Sequence, residues 1–591
     1  MLLAEKNQKQ LEHLDEVINN ENYWYNDKFR VMNNEAGCGK SRQAFESMAK
    51  LASNTNDKII YIQMFANENS EKQDAKELKN TVDAINSHCK KKLANYLCSE
   101  NISLHKKILS ENQIICITHK KYLKLCTNTT GDNFITNADV LIIDEFPNLY
   151  QNFFVTEIDL VRLQGFGLLT AQDKQYIEEL NIWFKNKLNE LHKSYGKTMH
   201  VVNLHKQDVK KFVKVLRTIV DKATKDNEFA HKYIIESAKK LLEVFSHTAI
   251  YYTASVGKTY PALYSFYNNI EYIFASQCNI ILDANGGFDE RYKLRKDIFT
   301  VDNQSKVFDY SDSEIILHPI ATTKNALIGY KDIVVDVAEY IDNKDHKSGF
   351  HENKHHLIVT DIKRESTITD FQKDAYDWMD ISVSHFGALI GKNNWKKYDD
   401  IWIIKTPFFQ FVDYILQYCF YSKKDLNGNT NCELKVVKGI HSNYPIFRNR
   451  DFNKFKNSIV LGEYYQACKR IARDGRKCTF NILTADESLF DLLVMQFKNI
   501  KESVCAELEL RQLVKIEKKK PGKEPTKTNN RVKIIEEYLM DAKANGKTKI
   551  EKSEICEIAD LRKDKLSKTL KKINNIQFTI GMGKEQSYII L

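Results

Sequence analysis

A glycine-bearing turn near the start of the chain has the residue types of a phosphate-binding loop. The apolar run FRVM (29–32) leads into NNEAGCGKS (33–41), and helix-forming sequence follows. Small residues let backbone N–H groups converge on phosphate oxygens, a lysine reaches the β- and γ-phosphates, and a hydroxyl ligates Mg²⁺. The residues that this pattern assigns to phosphate and Mg²⁺ are Gly37, Cys38, Gly39, Lys40 and Ser41. Asn34 stands where the usual pattern has its first glycine, and a chance turn is the alternative interpretation.

A second group of reactive side chains ends an apolar strand. DVLIIDEF (139–146) leads from four apolar residues into Asp144 and Glu145. Two carboxylates at the end of a buried strand are costly unless they face a site at the carboxyl edge of the sheet. Asp144 could hold Mg²⁺ through water, and Glu145 could polarise an attacking water. An ordinary strand that ends in a solvated acidic turn is the alternative.

A third group lies far along the chain, in YYQACKRIARDGRK (464–477). Gln466, Arg470 and Arg473 are spaced so that they would share one face of a helix. A glutamine and two arginines facing a cleft suit a γ-phosphate and its transition state, where an arginine is worth roughly 10³–10⁵ in rate. A basic helix that faces solvent is the alternative, and by itself this stretch favours it.

Two alternating patterns of strand and helix surround these groups. Residues 1–150 contain short apolar runs, typical of buried parallel strands, separated by polar helical stretches, and 248–307 continue the pattern. A second pattern of the same kind covers 308–514. Between the two parts of the first pattern, 151–247 repeat apolar residues at helical spacing. The sequence therefore predicts an α/β fold with two lobes and an all-helical insertion in the first.

In order and spacing, the three groups resemble the motifs of superfamily-2 helicases over residues 25–490. The loop at 34–41 is similar to motif I, Asp144 to Phe146 to motif II, and 466–473 to motif VI. The resemblance implies two RecA-like lobes, ATP and Mg²⁺ bound between them, and an ATP hydrolase. In motif II this chain reads DEF rather than DEAD or DEAH, which leaves the subfamily open.

The resemblance extends to positions beside a nucleic-acid track. ITHKKYL (117–123) is similar to a motif that lies near the bound strand, and VSHFGALIGKNNWKKYDDIWII (383–404) is similar to the motif V region. The residues that the resemblance assigns to the track are Thr118, His119, Gly387 and Asn394, and it marks Gly391 as a further functional position of the motif V region.

One further motif would couple ATP to the strand. LDANGGFD (282–289) stands where motif III is expected, although Asn285 replaces the usual threonine. TAS (253–255) competes for the same role. The insertion resembles no known module.

Most of the net positive charge lies at the C-terminal end. The whole chain carries +10, and residues 515–591 hold 19 Lys and Arg against 11 Asp and Glu. Segment 515–530 has charges, Pro and Gly but no apolar period, and is typical of a linker. This local charge predicts contact with a polyanion, with a solvated lysine-rich tail as the alternative.

Residues 531–591 follow the order helix, helix, basic helix and hairpin, which resembles a winged helix. In such folds the third helix enters the major groove, and its basic residues contact phosphates before bases are read. The residues expected to make these contacts are Arg562, Lys563, Lys565 and Lys568. Winged helices also dock proteins, and lysine-rich chemistry supports base-specific reading poorly.

Composition narrows the classes that remain. The chain has 591 residues, no apolar stretch near the roughly 20 residues of a membrane span, and no signal-peptide pattern at its start. The sequence therefore predicts a cytoplasmic or nucleoid-associated protein without a membrane partner. Its 12 cysteines form no C-x-x-C pair, which favours reduced thiols over a zinc site.

An ATP-dependent DNA helicase or translocase is the leading interpretation. Single-stranded DNA would be the track, duplex DNA could bind the winged helix, and replication or mobile-element proteins could be partners. A DNA-binding replication initiator or regulator with a P-loop ATPase switch is the second interpretation, and an RNA helicase is the third.

Overall fold

A computed structural model gives the fold of the chain. It describes residues 3–24, 27–66, 75–127, 133–226, 231–256, 258–330, 332–348, 354–362, 364, 380–389, 394–428, 432–439, 443–511, 527–559, 561–571, 573, 578–580 and 587–590. The chain divides into two compact units, Met1–Gln512 and Leu513–Leu591.

Strands and helices alternate along most of the larger unit. The strands are β1 (Phe29–Met32), β2 (Ile59–Gln63), β3 (Ala94–Tyr96), β4 (Ile114–Thr118), β5 (Val140–Asp144), β6 (Asn152–Val155), β7 (His200–Val202), β8 (Ala249–Val256), β9 (Lys258–Phe266), β10 (Cys278–Leu282), β11 (Phe299–Asp302), β12 (Glu314–His318), β13 (His355–Thr360), β14 (Asp380–His385), β15 (Asp400–Ile403), β16 (Leu434–Lys438), β17 (Asn443–Phe447), β18 (Thr479–Leu483), β19 (Lys501–Val504), β20 (Lys549–Glu551), β21 (Thr579–Ile580) and β22 (Tyr588–Ile590). The α-helices are α1 (Leu3–Asn19), α2 (Lys40–Asn54), α3 (Lys76–Asn86), α4 (His105–Glu111), α5 (His119–Thr127), α6 (Glu157–Gln164), α7 (Ala171–Tyr195), α8 (Lys210–Asp226), α9 (Lys232–Val244), α10 (Glu290–Leu294), α11 (Lys324–Leu327), α12 (Ile333–Ser348), α13 (Phe386–Leu389), α14 (Phe411–Ser422), α15 (Arg450–Cys468), α16 (Glu487–Val494), α17 (Lys527–Ala544), α18 (Lys552–Ile558) and α19 (Lys563–Leu570). Within the described ranges, no helix combines the length and the apolar character that a bilayer crossing requires.

The first lobe is built on a parallel sheet. Its described strands follow the order β11-β1-β10-β5-β2-β4-β3. The central strands are buried apolar runs, as expected for a sheet covered by helices on both faces. Because β1 and β5 flank β10 and run in the same direction, the loop after Met32 and the carboxylates after Ile143 emerge at one edge of the sheet. This confirms the predicted α/β class and its RecA-like first lobe.

The second lobe repeats the same plan. Its described strands form a parallel sheet in the order β14-β13-β15-β18-β12-β19. The apolar runs that predicted strands in 308–514 coincide with β12, β13, β14, β15 and β18. A two-stranded antiparallel hairpin, β16 with β17, lies between α14 and α15. The second RecA-like lobe is thus also confirmed.

The insertion differs from the predicted all-helical module. Besides α6 to α9, it contains an antiparallel sheet with the order β6-β9-β8-β7. Strands β8 and β9 lie within 248–307, which the sequence assigned to the first lobe. Alternate residues of this sheet face different cores: Ile250 and Tyr264 pack with the lobes, whereas Tyr251 and Leu263 pack with the insertion helices. The sheet therefore joins the insertion helices to the body of the protein.

The insertion also contacts the second lobe. Asp425 accepts hydrogen bonds from the Thr248 backbone N–H (2.9 Å) and from its hydroxyl (2.9 Å). Asn203 donates from Nδ2 to the Leu426 carbonyl at 3.0 Å. An element rooted in the first lobe is therefore tied to the loop that follows α14.

The described residues of the smaller unit form three helices and a small sheet. Helix α17 is followed by β20, α18 and α19, and the antiparallel strands follow the order β20-β22-β21. Apolar residues of all three helices and of β22 form one core. The predicted linker overlaps α17 at 527–530, and its remaining part, 515–526, lies outside the described residues, as do residues 582–585, where the turn of the predicted hairpin is expected.

Candidate active site

The turn between β1 and α2 adopts a backbone that only its glycines tolerate well. Gly37 and Gly39 have φ values of +91° and +100°, in the left-handed region. Asn34, in the place of the usual first glycine, does not have a positive φ, so its side chain causes no backbone strain. Among the described residues, neither amide atom of the buried Asn34 side chain has a hydrogen-bond partner.

Lys40 is held inside this turn. Its Nζ donates to the carbonyl oxygens of Asn34 (2.9 Å) and Glu35 (3.4 Å). Gly39 precedes α2, and no side chain caps the first turn of that helix. An ammonium group and uncapped N–H groups at a helix N-terminus together make an anion site.

Asp144 lies opposite the start of α2. One of its carboxylate oxygens accepts hydrogen bonds from the Ser41 hydroxyl and from the Tyr61 hydroxyl, both at 2.9 Å. Burial raises the pKa of Asp144, whereas both hydroxyls and the charge of Lys40 lower it. A hydroxyl and a carboxylate are oxygen ligands of the kind that Mg²⁺ prefers, so these residues fit the ion.

Glu145 follows with a strained backbone. Its φ is +69°, which is uncommon for a residue with a side chain, and its N–H donates to the Leu282 carbonyl at 3.0 Å. Burial and the neighbouring Asp144 raise the pKa of Glu145 to about 7, although Arg470 acts against them. A carboxylate whose pKa lies near neutrality suits proton transfer from water.

His119 contacts this strand end rather than an open surface. Its Nε2 lies 2.8 Å from the Asp144 carbonyl oxygen, and burial lowers the pKa of His119 to about 4. The neutral imidazole therefore supports the acidic turn, and its place beside a nucleic-acid track stays a prediction. Thr118 accepts a hydrogen bond from the Lys121 N–H at 3.2 Å, at the start of the same helix.

The segment with Gln466, Arg470 and Arg473 is not one helix. Helix α15 ends at Cys468, so Gln466 lies in its last turn and both arginines lie in the turns beyond it. The prediction of a shared helical face was therefore wrong. The three side chains nevertheless line one cavity, because the chain folds back after Lys469.

The two lobes touch at the phosphate-binding turn. A Cβ on Gly37 would lie 2.5 Å from the Arg473 carbonyl oxygen, so only glycine fits between them. Burial and Arg473 lower the pKa of Arg470 to about 10, and Glu145 counteracts them. Burial also lowers the pKa of Arg473, again against the charge of Glu145. The charge of the carboxylate at the end of β5 therefore acts on both arginines.

A single cavity of about 910 Å³ brings the predicted residues together. The residues of the three sequence groups that line it are Gly37, Gly39, Lys40, Ser41, Asp144, Glu145, Gln466, Arg470 and Arg473. Its volume falls within the range of small-molecule sites. Asn7 of α1 and Lys396 of the second lobe also line it, and the sequence did not point to either.

The segment after β10 lies between the two lobes. Asp283 is buried and accepts hydrogen bonds from the Tyr292 hydroxyl (2.8 Å) and the Asn285 N–H (2.9 Å). A Cβ on Gly462 of α15 would lie 3.3 Å from the Asn285 side chain. Strand β8, which contains the competing TAS sequence, belongs to the insertion sheet instead.

Except for the partly buried Thr118 and His119, the residues predicted to contact nucleic acid are exposed where the structure describes them. Gly387 and Asn394 lie on the second lobe beyond β14, whereas Gly391 lies outside the described residues. On α19 and just before it, one side of the helix is basic. The exposed residues of this side are Arg562, Lys565, Lys568 and Lys571, and the Lys563 side chain lies outside what the structure describes.

Neither a protein-family model nor a curated protein matches this chain. Among solved structures, it is similar to S. tokodaii Xpd4, with 13% identity, a TM-score of 0.47, and coverage of 84% of this chain and 100% of that one. It is also similar to the DEAD-box helicase Mss116 bound to ssRNA and UDP-BeF, with 12% identity, a TM-score of 0.36, and coverage of 91% and 82%.

A third likeness is to S. cerevisiae Dbp5 bound to RNA and ADP BeF3, with 9% identity, a TM-score of 0.34, and coverage of 81% of this chain and 85% of that one. At such identities and TM-scores the likenesses decide no activity.

Proposed function

We propose that this protein is an ATP-driven motor of the superfamily-2 helicase type that moves along DNA. One observation carries the proposal. Lys40, Ser41 and Glu145 of the first lobe and Arg470 and Arg473 of the second line the same cavity, which has the size of a nucleotide site. A phosphate anchor on one lobe and arginines on the other are what ATP hydrolysis between two lobes requires.

The first lobe supplies the binding groups. Lys40 would exchange its contacts with backbone carbonyls for the β- and γ-phosphates, while the first N–H groups of α2 bind phosphate oxygens. Ser41 and Asp144 would hold Mg²⁺, which supplies positive charge against the phosphates when bound. Tyr61 keeps the Asp144 carboxylate turned toward Ser41.

Glu145 of the first lobe and three residues of the second lobe complete the reaction site. Glu145 would accept a hydrogen bond and then a proton from the attacking water, which its pKa of about 7 allows at neutral pH. Arg470 and Arg473 would bind the charge that develops on the transferring phosphoryl group. Gln466, which lines the cavity beside them, would orient the same water.

Movement would follow from how the lobes are joined. Asn285 of the first lobe and Gly462 of α15 in the second lobe are in close contact. A conformational change that nucleotide binding causes in the cavity would reach the other lobe through this contact. The exposed Gly387 and Asn394 are the proposed contacts with the single-stranded track. Cycles of nucleotide binding and release would shift these contacts along the strand.

The C-terminal unit supports DNA as the partner. Its order of helix, strand, two helices and two strands resembles that of a winged helix, and α19 has exposed basic residues, which supports this part of the proposal. Arg562, Lys565 and Lys568 would contact phosphates, which gives affinity without base specificity. We propose that this unit binds duplex DNA next to the site where the motor loads onto its single strand.

ATPase assays with single-stranded DNA, duplex DNA and RNA side by side test the proposal. We expect turnover to rise most with single-stranded DNA and to vanish in Lys40→Ala. Lys50→Ala, which removes an exposed lysine of the same helix α2, should behave as the unchanged protein. A Lys40→Ala variant that hydrolyses ATP at the normal rate contradicts the motor.

A replication initiator with a slow ATPase switch is the second candidate, favoured by the basic C-terminal unit. Removing residues 516–591 distinguishes the two functions. A motor keeps strand-stimulated turnover without this unit, whereas an initiator loses its DNA affinity. Stronger stimulation by RNA than by DNA in the same assay would favour the third candidate, an RNA helicase.

A further inference from the structure

A buried ion pair joins the two lobes beside the candidate site. Lys469 Nζ lies 3.1 Å from a carboxylate oxygen of Glu35, and the exposed fractions of the two side chains are 1% and 0%. Glu35 belongs to the phosphate-binding turn, and Lys469 immediately precedes Arg470. The sequence motifs point to neither residue, because each occupies a position for which its motif specifies no residue type.

The segment that connects the lobes completes the same cluster. The other carboxylate oxygen of Glu35 accepts hydrogen bonds from the backbone N–H groups of Val307 (2.8 Å) and Phe308 (3.1 Å). The Tyr310 hydroxyl contacts both Lys469 and Glu35, and it donates to the Ala472 carbonyl at 3.1 Å. One carboxylate therefore gathers the phosphate-binding turn, the connection between the lobes and the arginine segment.

Stability alone gives little reason to keep such a pair. Removing two charges from water costs several kcal/mol per ion, and apolar replacements of buried pairs are often neutral or stabilising. Burial also lowers the pKa of Lys469 to about 8, and the charge of Glu35 and its hydrogen bond are the main effects that raise it again. The directional bonds of the pair can instead define the path of the backbone on either side of it.

We propose that Glu35 and Lys469 are positioning residues that hold Arg470 and Arg473 opposite the phosphate-binding turn before nucleotide or nucleic acid binds. The close approach of Arg473 to Gly37 is the direct result of this contact. This inference rests on the proposed ATPase for its kinetic consequences, but not for its structural ones.

The decisive variant is the double substitution Glu35→Gln with Lys469→Met. Either single change leaves a buried charge without its partner, and that alone can impair folding. The double variant removes both charges, so it separates positioning from stability. Lys456→Met with Asp486→Asn is the matched control, since Lys456 of α15 and Asp486 form another buried pair, at 3.2 Å, that does not include the phosphate-binding turn.

Amide hydrogen exchange of residues 470–476 in the nucleotide-free protein gives the readout that needs no activity. We expect the segment to exchange about fivefold faster or more in the double variant, because its anchor is lost, and at the original rate in the control variant. Unchanged exchange in the double variant overturns the inference. This result holds whether or not the protein hydrolyses ATP, so it is independent of the proposed function.

Kinetics give the second readout. We expect kcat of the double variant to fall about tenfold or more, while the KM for ATP stays within about threefold. Adding Arg473→Ala should cost much less in the double variant than in the unchanged protein, because residues that act together are not additive. Lys469→Arg, which keeps the charge, should recover most of the rate. A double variant with the original kcat and the full Arg473→Ala penalty refutes the positioning role.

Discussion

Replacing Glu145 by glutamine should stabilise the nucleotide-free protein, even though it removes the carboxylate that the reaction uses. The pKa of Glu145 is raised from its ordinary 4.5 to about 7, first by burial and then by Asp144. The folded protein therefore keeps a proton on this carboxyl between these two pH values, where the unfolded chain has lost it. Stability is lost as the pH rises through that window.

The size of the effect follows from the two pKa values. Each tenfold difference in proton affinity between the folded and the unfolded protein is worth about 1.4 kcal/mol. Ionised Glu145 therefore lowers the free energy of unfolding by about 3 kcal/mol above pH 7. That value already includes the attraction of Arg470, which lowers the pKa of Glu145. Glutamine has nearly the same shape and cannot ionise. The variant should therefore equal the original protein near pH 4.5 and exceed its stability by up to about 3 kcal/mol at pH 8.

Urea unfolding followed by tryptophan fluorescence at pH 5, 6, 7 and 8, without nucleotide or Mg²⁺, measures this difference. The gap between Glu145→Gln and the unchanged protein should widen from pH 5 to pH 7 and then level off. Glu178→Gln, which alters an exposed carboxylate on α7, is the control and should show no such gap. A gap of constant size, or a destabilised glutamine variant at pH 8, would refute the assigned environment of Glu145.

Three further predictions concern other contacts. Tyr61→Phe removes one of the two described hydrogen bonds to the Asp144 carboxylate, so the free energy of unfolding should fall by about 1–2 kcal/mol. A titration should also show that turnover requires a higher Mg²⁺ concentration. Asp425→Ala removes two hydrogen bonds between the insertion and the second lobe, which should lower the urea midpoint and speed proteolysis of the insertion. Lys565→Glu with Lys568→Glu should weaken DNA binding and reduce the salt dependence of that binding by about two phosphate contacts, as measured by titration at several salt concentrations.

Local patterns predicted the parts of the site that a short stretch of chain builds. The turn at Gly37 to Ser41 and the acidic end of β5 need only an apolar strand and the residues that follow it. Their meeting at one sheet edge follows from parallel strands in a RecA-like order. Asn34 weakened the match only because its backbone was expected to need a glycine, and its φ shows otherwise.

Contacts between distant segments account for what the sequence did not reveal. The spacing of Gln466, Arg470 and Arg473 fits a helix, but the helix ends at Cys468, and the next residue, Lys469, forms the buried bond to Glu35. His119 is polar and follows a strand, yet its partner is a carbonyl on another strand. No local pattern encodes either partner.

The insertion shows the same limit for strands. Its helices follow the predicted apolar period, and strand β8 lies in the part of the chain that was predicted to continue the alternating pattern of the first lobe. Strand β8 joins the insertion sheet because it pairs with β7 and β9. The alternation of apolar and polar residues along β8 does not identify those partners. The boundary at 247 was therefore too early.

The central claim is that the lysine of the first lobe and the arginines of the second act on the same phosphates. Binding of ADP with aluminium fluoride, a mimic of the transferring phosphoryl group, tests it most directly when compared with binding of ADP alone. The unchanged protein should bind the mimic about a hundredfold more tightly or more, and Arg470→Ala and Arg473→Ala should each lose most of that preference while still binding ADP. If both arginine variants keep the full preference for the mimic, the arginines do not reach the phosphates and the account is wrong.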